Sequence, residues 1–168
     1  MNFRPSELFS TYSIVARDPE TGQFGVAVQT HQLSVGRHVP WLLPGFGALA
    51  TQSLANISYG PMGLAMLREG IAAPQVVAAL VAGDTDAHRR QVAVVDAQGS
   101  AAAFTGAGCI REAGHQTGEG YSVQANMMMA STVVAAMADA YESARPTGPV
   151  RGQFARRLLA ALCAAQQE

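Results

Sequence analysis

The alternation of side chains near the start of the chain constrains the fold more than any other feature. Over residues 11–18 the side chains of Tyr12, Ile14 and Ala16 occupy every second position, and residues 24–29 resume the alternation. A period of two residues is typical of a β-strand. The segment between them ends in Gly22, which suits a type I turn followed by a left-handed residue. These two segments therefore predict a β-hairpin.

Farther along the chain, strand patterns and helix patterns occur in groups rather than in alternation. Strand patterns cover residues 47–54, 91–97, 100–105 and 121–127. Helix patterns cover residues 61–69 and 74–82, a third helix follows a cap at Ser131, and a fourth starts near Pro149 after a connection at residues 145–151. Residues 30–44 contain two prolines and Gly36 and predict an irregular loop. Because strands and helices do not alternate strictly, we expect an α+β fold.

Composition excludes several classes of function. The 168 residues fit one domain, and 49% hydrophobic with 14% charged residues is the profile of a folded protein. The net charge is −1 and no basic stripe is present, so no nucleic-acid partner is predicted. All eleven basic residues are arginine, which excludes Schiff-base and phosphate-loop mechanisms that need a lysine.

The sequence also predicts a cytoplasmic protein. Cys109 and Cys163 have no paired spacing, so no disulfide framework or zinc module is expected. Residues 1–10 contain no apolar run and do not form a signal peptide. Every apolar stretch is interrupted before roughly 18 residues, so no membrane span is predicted.

Three other patterns are candidate sites. Gly45, Gly47 and Ala50 have the spacing of a dinucleotide fingerprint, but prolines precede them and a strand pattern follows, so nucleotide binding is disfavoured. Cys109 follows a glycine-containing loop, and a buried thiol is favoured over a nucleophile. Cys163 lies on an apolar helix face and is predicted to pack.

The four histidines do not have the spacing of a metal site, and no metal or other cofactor is predicted. His88 precedes a strand beside two arginines, which indicates a solvated residue. His31 and His115 lie in loops, where functional side chains are common, so each is either a site residue or an exposed loop histidine.

Taken together, the motifs resemble a known family. They are TYSIVARD at residues 11–18, FGVAV at 24–28, ATQSLAN at 50–56, YGPMGL at 59–64, TGAGC at 105–109 and GH at 114–115. In this order they resemble DUF1028, a bacterial and archaeal domain of unknown function, from about Thr11 to the last helix. The resemblance implies an Ntn-hydrolase-like four-layer αββα sandwich with two stacked antiparallel sheets. We expect residues 1–10 to be an N-terminal extension and residues 11–168 to be a single domain.

The resemblance also implies a chemistry. In Ntn hydrolases the first residue of a strand carries a free α-amino group that acts as the base for its own hydroxyl or thiol. Thr11 occupies that position here, which predicts hydrolysis of an amide bond in a small molecule or peptide. We expect a catalytic group of Thr11, Asn126 and His31, and substrate-binding side chains from Thr51, Gln52, Asn56, His115 and Gln124.

Polar residues at the ends of predicted strands support one shared cleft. Buried polar side chains are costly unless they are paired, and a binding pocket is a common reason for a convergent set. We therefore expect Thr11, His31, Thr51, Gln52, Asn56 and Asn126 to surround one cleft. The alternative is that these groups only satisfy loop backbone.

This chain departs from the family pattern in three ways, of which the first two favour a second hypothesis. Ten residues precede Thr11, His31 replaces a common lysine or arginine, and relatives continue where this chain stops at Glu168. The sheet is then either incomplete or completed by another polypeptide, and we expect a homo-oligomer. The competing function is a non-catalytic small-molecule-binding protein that retains the fold.

Overall fold

The structure is a computed structural model that describes residues 10–144 and 152–168. Within them the chain forms two antiparallel sheets of four strands each, together with four α-helices. The α+β prediction is therefore confirmed. Three predictions lie outside the described residues: the helix start near Pro149, the connection at residues 145–151, and the extension up to residue 9.

The first sheet has the order β2-β1-β8-β7. Its strands are β1 (Thr11–Arg17), β2 (Phe24–Thr30), β7 (Gly114–Gly118) and β8 (Tyr121–Asn126). The predicted hairpin of β1 and β2 is confirmed, since the two strands pair antiparallel along their whole length. Its turn is closed by a 2.8 Å hydrogen bond from the Asp18 amide to the Gln23 carbonyl, and Gly22 has the expected left-handed φ of 71°.

The second sheet has the order β3-β4-β5-β6. Its strands are β3 (Pro40–Leu43), β4 (Gly47–Ser53), β5 (Arg90–Asp96) and β6 (Ala101–Thr105). Gly47 opens the strand β4 and no helix starts there, so the dinucleotide pattern lacks the helix N-terminus that would hold a pyrophosphate.

Two strands lie where no strand was predicted. The segment 30–44, predicted as an irregular loop, contains β3 and a 3₁₀ turn at Val35–Arg37. Proline can begin β3 because this strand is at the sheet edge and pairs only with β4. The strand β7 was missed because its sequence, GHQTG, has little β-propensity and is ordered by pairing with β8.

The helices are α1 (Tyr59–Arg68), α2 (Ala73–Ala82), α3 (Val133–Ser143) and α4 (Gln153–Gln167). The helix α1 begins two residues before the predicted start at Pro61, which is compatible with proline in a first turn, where backbone N–H groups lack helical partners. In α4 the buried residues Leu158, Ala161 and Ala165 define the packed face. Cys163 lies on the opposite side and is exposed, so the prediction that it packs was wrong. Cys109 is buried, as predicted.

Three apolar clusters show how these elements are layered. One joins the first sheet to α3 and α4 and contains Ile14 and Met137, and a second joins the second sheet to α1 and α2 and contains Leu49 and Leu80. The third lies between the sheets and is built from small side chains such as Val15, Ala50, Ala93 and Val95. The chain is thus a two-sheet sandwich with a pair of helices on each outer face.

Candidate functional site

Thr11 is placed by its neighbours in the first sheet. It is the first residue of β1, pairs with Thr30 of β2 on one side and Asn126 of β8 on the other, and is 5% exposed. Because side chains alternate along a strand, Thr11 faces the same side as Val15, toward the second sheet. The Thr11 and Thr30 hydroxyl oxygens are 2.8 Å apart and share a hydrogen bond. The Thr11 hydroxyl is therefore held at the open end of the layer between the sheets.

A cavity of about 320 Å³ opens at this end of the sandwich. Its polar wall contains Thr11, Thr30, His31, His38, Gln52 and Ser53. Its apolar wall contains Val35, Val39, Leu54, Ile57 and Met127. An apolar pocket with a few convergent polar groups is the usual form of a small-molecule site.

Two residues that line this cavity have strained backbones. Ser53 has a φ of 66° and Met127 a φ of 59°, values that cost a non-glycine residue roughly 1–2 kcal/mol. They directly follow the interior-facing residues Gln52 and Asn126 at the ends of β4 and β8. Strained residues concentrate at functional sites, so their position on one cavity supports a site there.

Buried amides and hydroxyls form a hydrogen-bonded network behind the cavity. The Ser13 hydroxyl donates to Gln52 Oε1 at 2.6 Å and accepts from Gln124 Nε2 at 2.6 Å, and the Ser122 hydroxyl donates to Gln124 Oε1 at 2.9 Å. All four side chains are at most 1% exposed. Because Ser13 and Gln52 belong to different sheets, this network replaces the apolar packing that joins the sheets farther from the cavity.

Gln91 is the centre of the network. Its Oε1 accepts from Gln52 Nε2 at 2.7 Å and from Asn126 Nδ2 at 2.8 Å. Its Nε2 donates to the Thr105 hydroxyl at 2.8 Å and to the Ala125 and Gly114 carbonyls at 2.9 and 3.0 Å. Gln91 thus fixes the orientation of two amides, one of which lines the cavity.

Asn126 is fully buried, and its Oδ1 has no hydrogen-bond donor among the residues that the structure describes. A buried carbonyl oxygen without a donor is unusual in a folded protein and is costly. Asn126 is also the cross-strand neighbour of Thr11, and the side chains of such pairs lie about 4.5–5.5 Å apart at Cβ. An acceptor with free capacity is therefore adjacent to the Thr11 residue.

The structure divides the predicted site residues into three groups. Thr11, His31 and Gln52 line the cavity. Asn126 and Gln124 lie behind it in the buried network. Thr51, Asn56 and His115 are elsewhere. Of the six residues expected around one cleft, three therefore line the cavity, Asn126 lies behind it, and Thr51 and Asn56 lie elsewhere.

Thr51 lies on the opposite face of β4 from Gln52, and its hydroxyl donates to the Asn56 carbonyl at 3.3 Å. Asn56 in turn donates to Asp84 Oδ2 at 2.9 Å, an oxygen that also accepts from Tyr59 and Arg90. These contacts fix the loop after β4, through a backbone carbonyl for Thr51 and through the Asp84 carboxylate for Asn56.

The charge cluster around Asp84 has shifted pKa values. The hydrogen bonds from Arg90 and Asn56 hold the pKa of Asp84 well below its ordinary value. Burial, and then the hydrogen bond to Asp84, raise the pKa of Tyr59 to about 12. Asp84 is therefore a fixed anion that anchors the loop, and the cluster does not line the cavity beside Thr11.

His115 lies at the other edge of the network, where its Nδ1 is 2.8 Å from the Thr105 hydroxyl. Burial lowers the pKa of His115, so the neutral imidazole is favoured. It lines two other cavities, one formed by residues 105–115 and one that extends to Val134 of α3, and it is not on the wall beside Thr11.

Sequence reasoning did not select Ser13, Gln91 or Ser53 as site residues. Ser13 could have been found, because it lies two residues from Thr11 on a strand and therefore faces the same side. Gln91 had no such signal, since its role depends on pairing between strands far apart in the sequence.

Two kinds of feature are absent from the described residues. No group of three or more histidine, cysteine, aspartate or glutamate side chains in residues 10–144 and 152–168 is arranged to hold a metal ion. In the same part of the chain, no helix combines the length and the apolar character needed to cross a bilayer.

Comparison with known proteins supplies the family. Protein SPO2555 from Silicibacter pomeroyi, whose crystal structure is assigned to the family DUF1028, is 34% identical to this chain in sequence. The two structures superpose with a TM-score of 0.85. That similarity covers 94% of this chain and 68% of the other. No curated protein matches the sequence. The model of DUF1028, a family of unknown function, matches residues 11–168, and the chain therefore belongs to the DUF1028 family.

Proposed function

We propose that the protein hydrolyses an amide bond in a small molecule or peptide, with Thr11 as an N-terminal nucleophile. The observation that carries this proposal is the position of the Thr11 hydroxyl, which is on the wall of a cavity of about 320 Å³ and hydrogen-bonded to the Thr30 hydroxyl. A nucleophile must be accessible to substrate and oriented by a neighbour, and Thr30 supplies that orientation.

The reaction requires a free α-amino group on Thr11, and therefore removal of residues 1–10. The amine would accept the hydroxyl proton while Oγ1 attacks the amide carbonyl carbon. Collapse of the tetrahedral intermediate, with that proton passed to the departing nitrogen, would release the amine product and leave an ester on Thr11. Water, activated by the same amine, would then hydrolyse the ester and restore the hydroxyl.

Asn126 and His31 have different roles in this scheme. The Asn126 Oδ1 would accept a hydrogen bond from the Thr11 ammonium that forms during attack, since this buried oxygen has capacity and Asn126 is the cross-strand neighbour. His31 is exposed on the cavity wall, where it would contact the leaving part of the substrate. Gln52 would act from the opposite sheet by holding Ser13 in place, because its own amide is buried and hydrogen-bonded at both ends.

The proposal can be tested with a protein that begins at Thr11, released from an N-terminal fusion by a protease. Incubation with a β-lactone, followed by intact-mass measurement and peptide mapping, should show one acyl group on Thr11. The chain of residues 1–168 and the Thr11→Ala form of the trimmed chain should remain unlabelled. A trimmed chain with unchanged circular dichroism that takes no label on Thr11 would contradict the proposal.

The second candidate function is a non-catalytic small-molecule-binding protein. It is favoured by Ser10, which lines the same cavity while its peptide bond occupies the Thr11 nitrogen. N-terminal mass measurement on the purified protein separates the two functions. A product that begins at Thr11 supports the hydrolase, whereas a product that keeps residues 1–10 and binds ligands without turnover supports the binding protein.

We infer a cytoplasmic setting and self-association as part of this proposal. Cys109 and Cys163 are both free thiols, which suits a reducing compartment. Exposed apolar side chains, among them Leu33, Leu42 and Met62, are surfaces that a second copy could cover. Sedimentation at micromolar concentration should show a species larger than 17.5 kDa, and a single 17.5 kDa species would contradict self-association.

A further inference from the structure

The cavity beside Thr11 has no carboxylate and no guanidinium on its wall. No aspartate, glutamate or arginine is among its lining residues, in the part of the chain that the structure describes. Arg4 and Glu7 precede Thr11 in the sequence and are absent from a form that begins at Thr11. A ligand ammonium in this cavity would therefore meet no carboxylate, and a ligand carboxylate would meet no guanidinium. Burying a charge without such a partner is costly.

The proposed chemistry also disfavours a carboxylate on the substrate near the reacting bond. The α-amino group of Thr11 must be neutral to act as the base. A negative charge within about 4–6 Å of an amine stabilises its protonated form and raises its pKa. A substrate carboxylate beside Thr11 would therefore hold a proton on the amine and oppose its role.

Two large apolar side chains are left exposed on this cavity. Leu54 is 46% exposed and Ile57 is 45% exposed, and both line the cavity. Hydrogen bonds fix the backbone that carries Leu54, because its amide donates to the Arg89 carbonyl at 3.3 Å and its carbonyl accepts from Arg90 Nη1 at 2.7 Å. Apolar side chains that remain exposed together on one cavity indicate an apolar ligand group.

The polar side of the cavity does not call for a charged ligand. The Thr11 and Thr30 hydroxyls share a 2.8 Å hydrogen bond. The Gln52 amide accepts from Ser13 at 2.6 Å and donates to Gln91 at 2.7 Å. Because these groups already have partners within the protein, they do not supply the charge-assisted hydrogen bonds that hold a charged ligand.

We propose that the substrate is an amide of an apolar carboxylic acid, and that its uncharged acyl group lies against Leu54 and Ile57. This inference rests on the proposed function, because it takes the acyl carbon to be the atom that Thr11 attacks. The cavity volume of about 320 Å³ is at the lower end of the roughly 300–1,000 Å³ typical of small-molecule sites. A hexanoyl group is therefore a suitable probe.

Ligand-observed NMR titration of the full chain at pH 7.5 tests the ligand class. In this chain the Thr11 nitrogen is in a peptide bond, so binding is measured without turnover. N-methylhexanamide should bind saturably. N-methyl-5-aminopentanamide, which replaces the terminal methyl group by an ammonium, and the anion N-methylglutaramate should each bind at least about 10-fold more weakly. No saturable binding of N-methylhexanamide would overturn the proposal, as would a charged ligand that binds as tightly.

Leu54→Asp assigns the binding to this cavity. The new carboxylate attracts the ammonium and removes an apolar contact, so the preference for N-methylhexanamide over N-methyl-5-aminopentanamide should fall at least about fivefold. Leu159→Asp is the matched control, because it adds the same charge at a 58% exposed leucine of α4 that does not line the cavity. Ile57→Asp should act like Leu54→Asp and replaces it if that variant does not fold. Equal preferences in cavity and control variants would overturn the assignment.

Acylation of the chain that begins at Thr11 separates this inference from the proposed function. A β-lactone with an alkyl chain should label Thr11 at least about 10-fold faster than one whose chain ends in an ammonium. Equal labelling by the two would overturn the acyl class and leave the hydrolase in place. No labelling of Thr11, together with selective binding of N-methylhexanamide, would refute the hydrolase and support the apolar ligand class.

Discussion

The Ser13 hydroxyl donates a 2.6 Å hydrogen bond to Gln52 Oε1 across the interface between the two sheets. Ser13 is on β1, two residues from Thr11, and Gln52 is on β4 and lines the cavity. The two sheets are therefore joined by a polar contact next to the proposed nucleophile, whereas small apolar side chains join them farther along the strands. This contact couples the stability of the sandwich to the geometry of the candidate site.

Ser13→Ala should lower the free energy of unfolding by about 1–3 kcal/mol. The change removes the donor to Gln52 Oε1 and the acceptor for Gln124 Nε2, and it leaves both groups buried without that partner. Urea unfolding followed by circular dichroism measures the effect. Ser143→Ala, at an exposed position on α3, is the control and should change stability by less than about 0.5 kcal/mol. Equal stabilities of the two variants would show that the network contributes nothing.

Gly60→Ala should destabilise the protein by about 1–3 kcal/mol through overpacking. A Cβ at residue 60 would lie 2.1 Å from Trp41 Cδ2, so the indole must move away from α1. Trp41 is the only tryptophan, and its fluorescence reports this movement directly. At Gly36 an added Cβ meets nothing within 4 Å, so Gly36→Ala is the matched control and should leave the spectrum unchanged. A wild-type spectrum and stability for Gly60→Ala would refute the predicted contact.

Asp84→Asn should destabilise the protein by roughly 1–2 kcal/mol at pH 7, because it removes the charge that Arg90 pairs with at 2.9 Å. The pKa of Asp84 is lowered in the folded state, so its contribution is fully present above the ordinary aspartate value of about 3.9. It is lost as the pH falls through the folded pKa, because the unfolded chain takes up its proton first.

The stability difference between wild type and Asp84→Asn should therefore be constant from pH 7 to 5 and shrink below about pH 4. Urea midpoints measured across that range give the comparison. Asp86→Asn is the control, since Asp86 is more exposed and lies 3.7 Å from Arg90. A difference that grows on acidification would show that the sign of the Asp84 shift is wrong.

His115 should titrate below the ordinary histidine pKa of about 6.5, because burial lowers its pKa. The folded state then takes up the proton at lower pH than the unfolded state, so this residue reduces stability as the pH falls below about 6.5. NMR titration of the imidazole protons measures the pKa, and His115→Gln should weaken the loss of stability between pH 7 and 5. A measured pKa above 6.5 would contradict the prediction.

Much of the fold follows from local patterns. The hairpin of β1 and β2 was predictable because its alternation and its glycine turn lie within twenty residues. The strands β3 and β7 were not predictable, since β3 is only four residues long and begins with a proline, and the β7 sequence GHQTG has little β-propensity. Edge strands of this kind depend on partners that the local sequence does not specify.

The sequence by itself determined that polar residues stand at strand ends, at positions such as Thr11, Gln52 and Asn126. Only the tertiary structure decided which of them meet. Thr51 and Gln52 are neighbours in the chain, yet one contacts the loop after β4 and the other lines the cavity, because successive residues on a strand face opposite sides. The meeting of the side chains from the two sheets depends on the register and stacking of strands far apart in sequence, and no local pattern records that register.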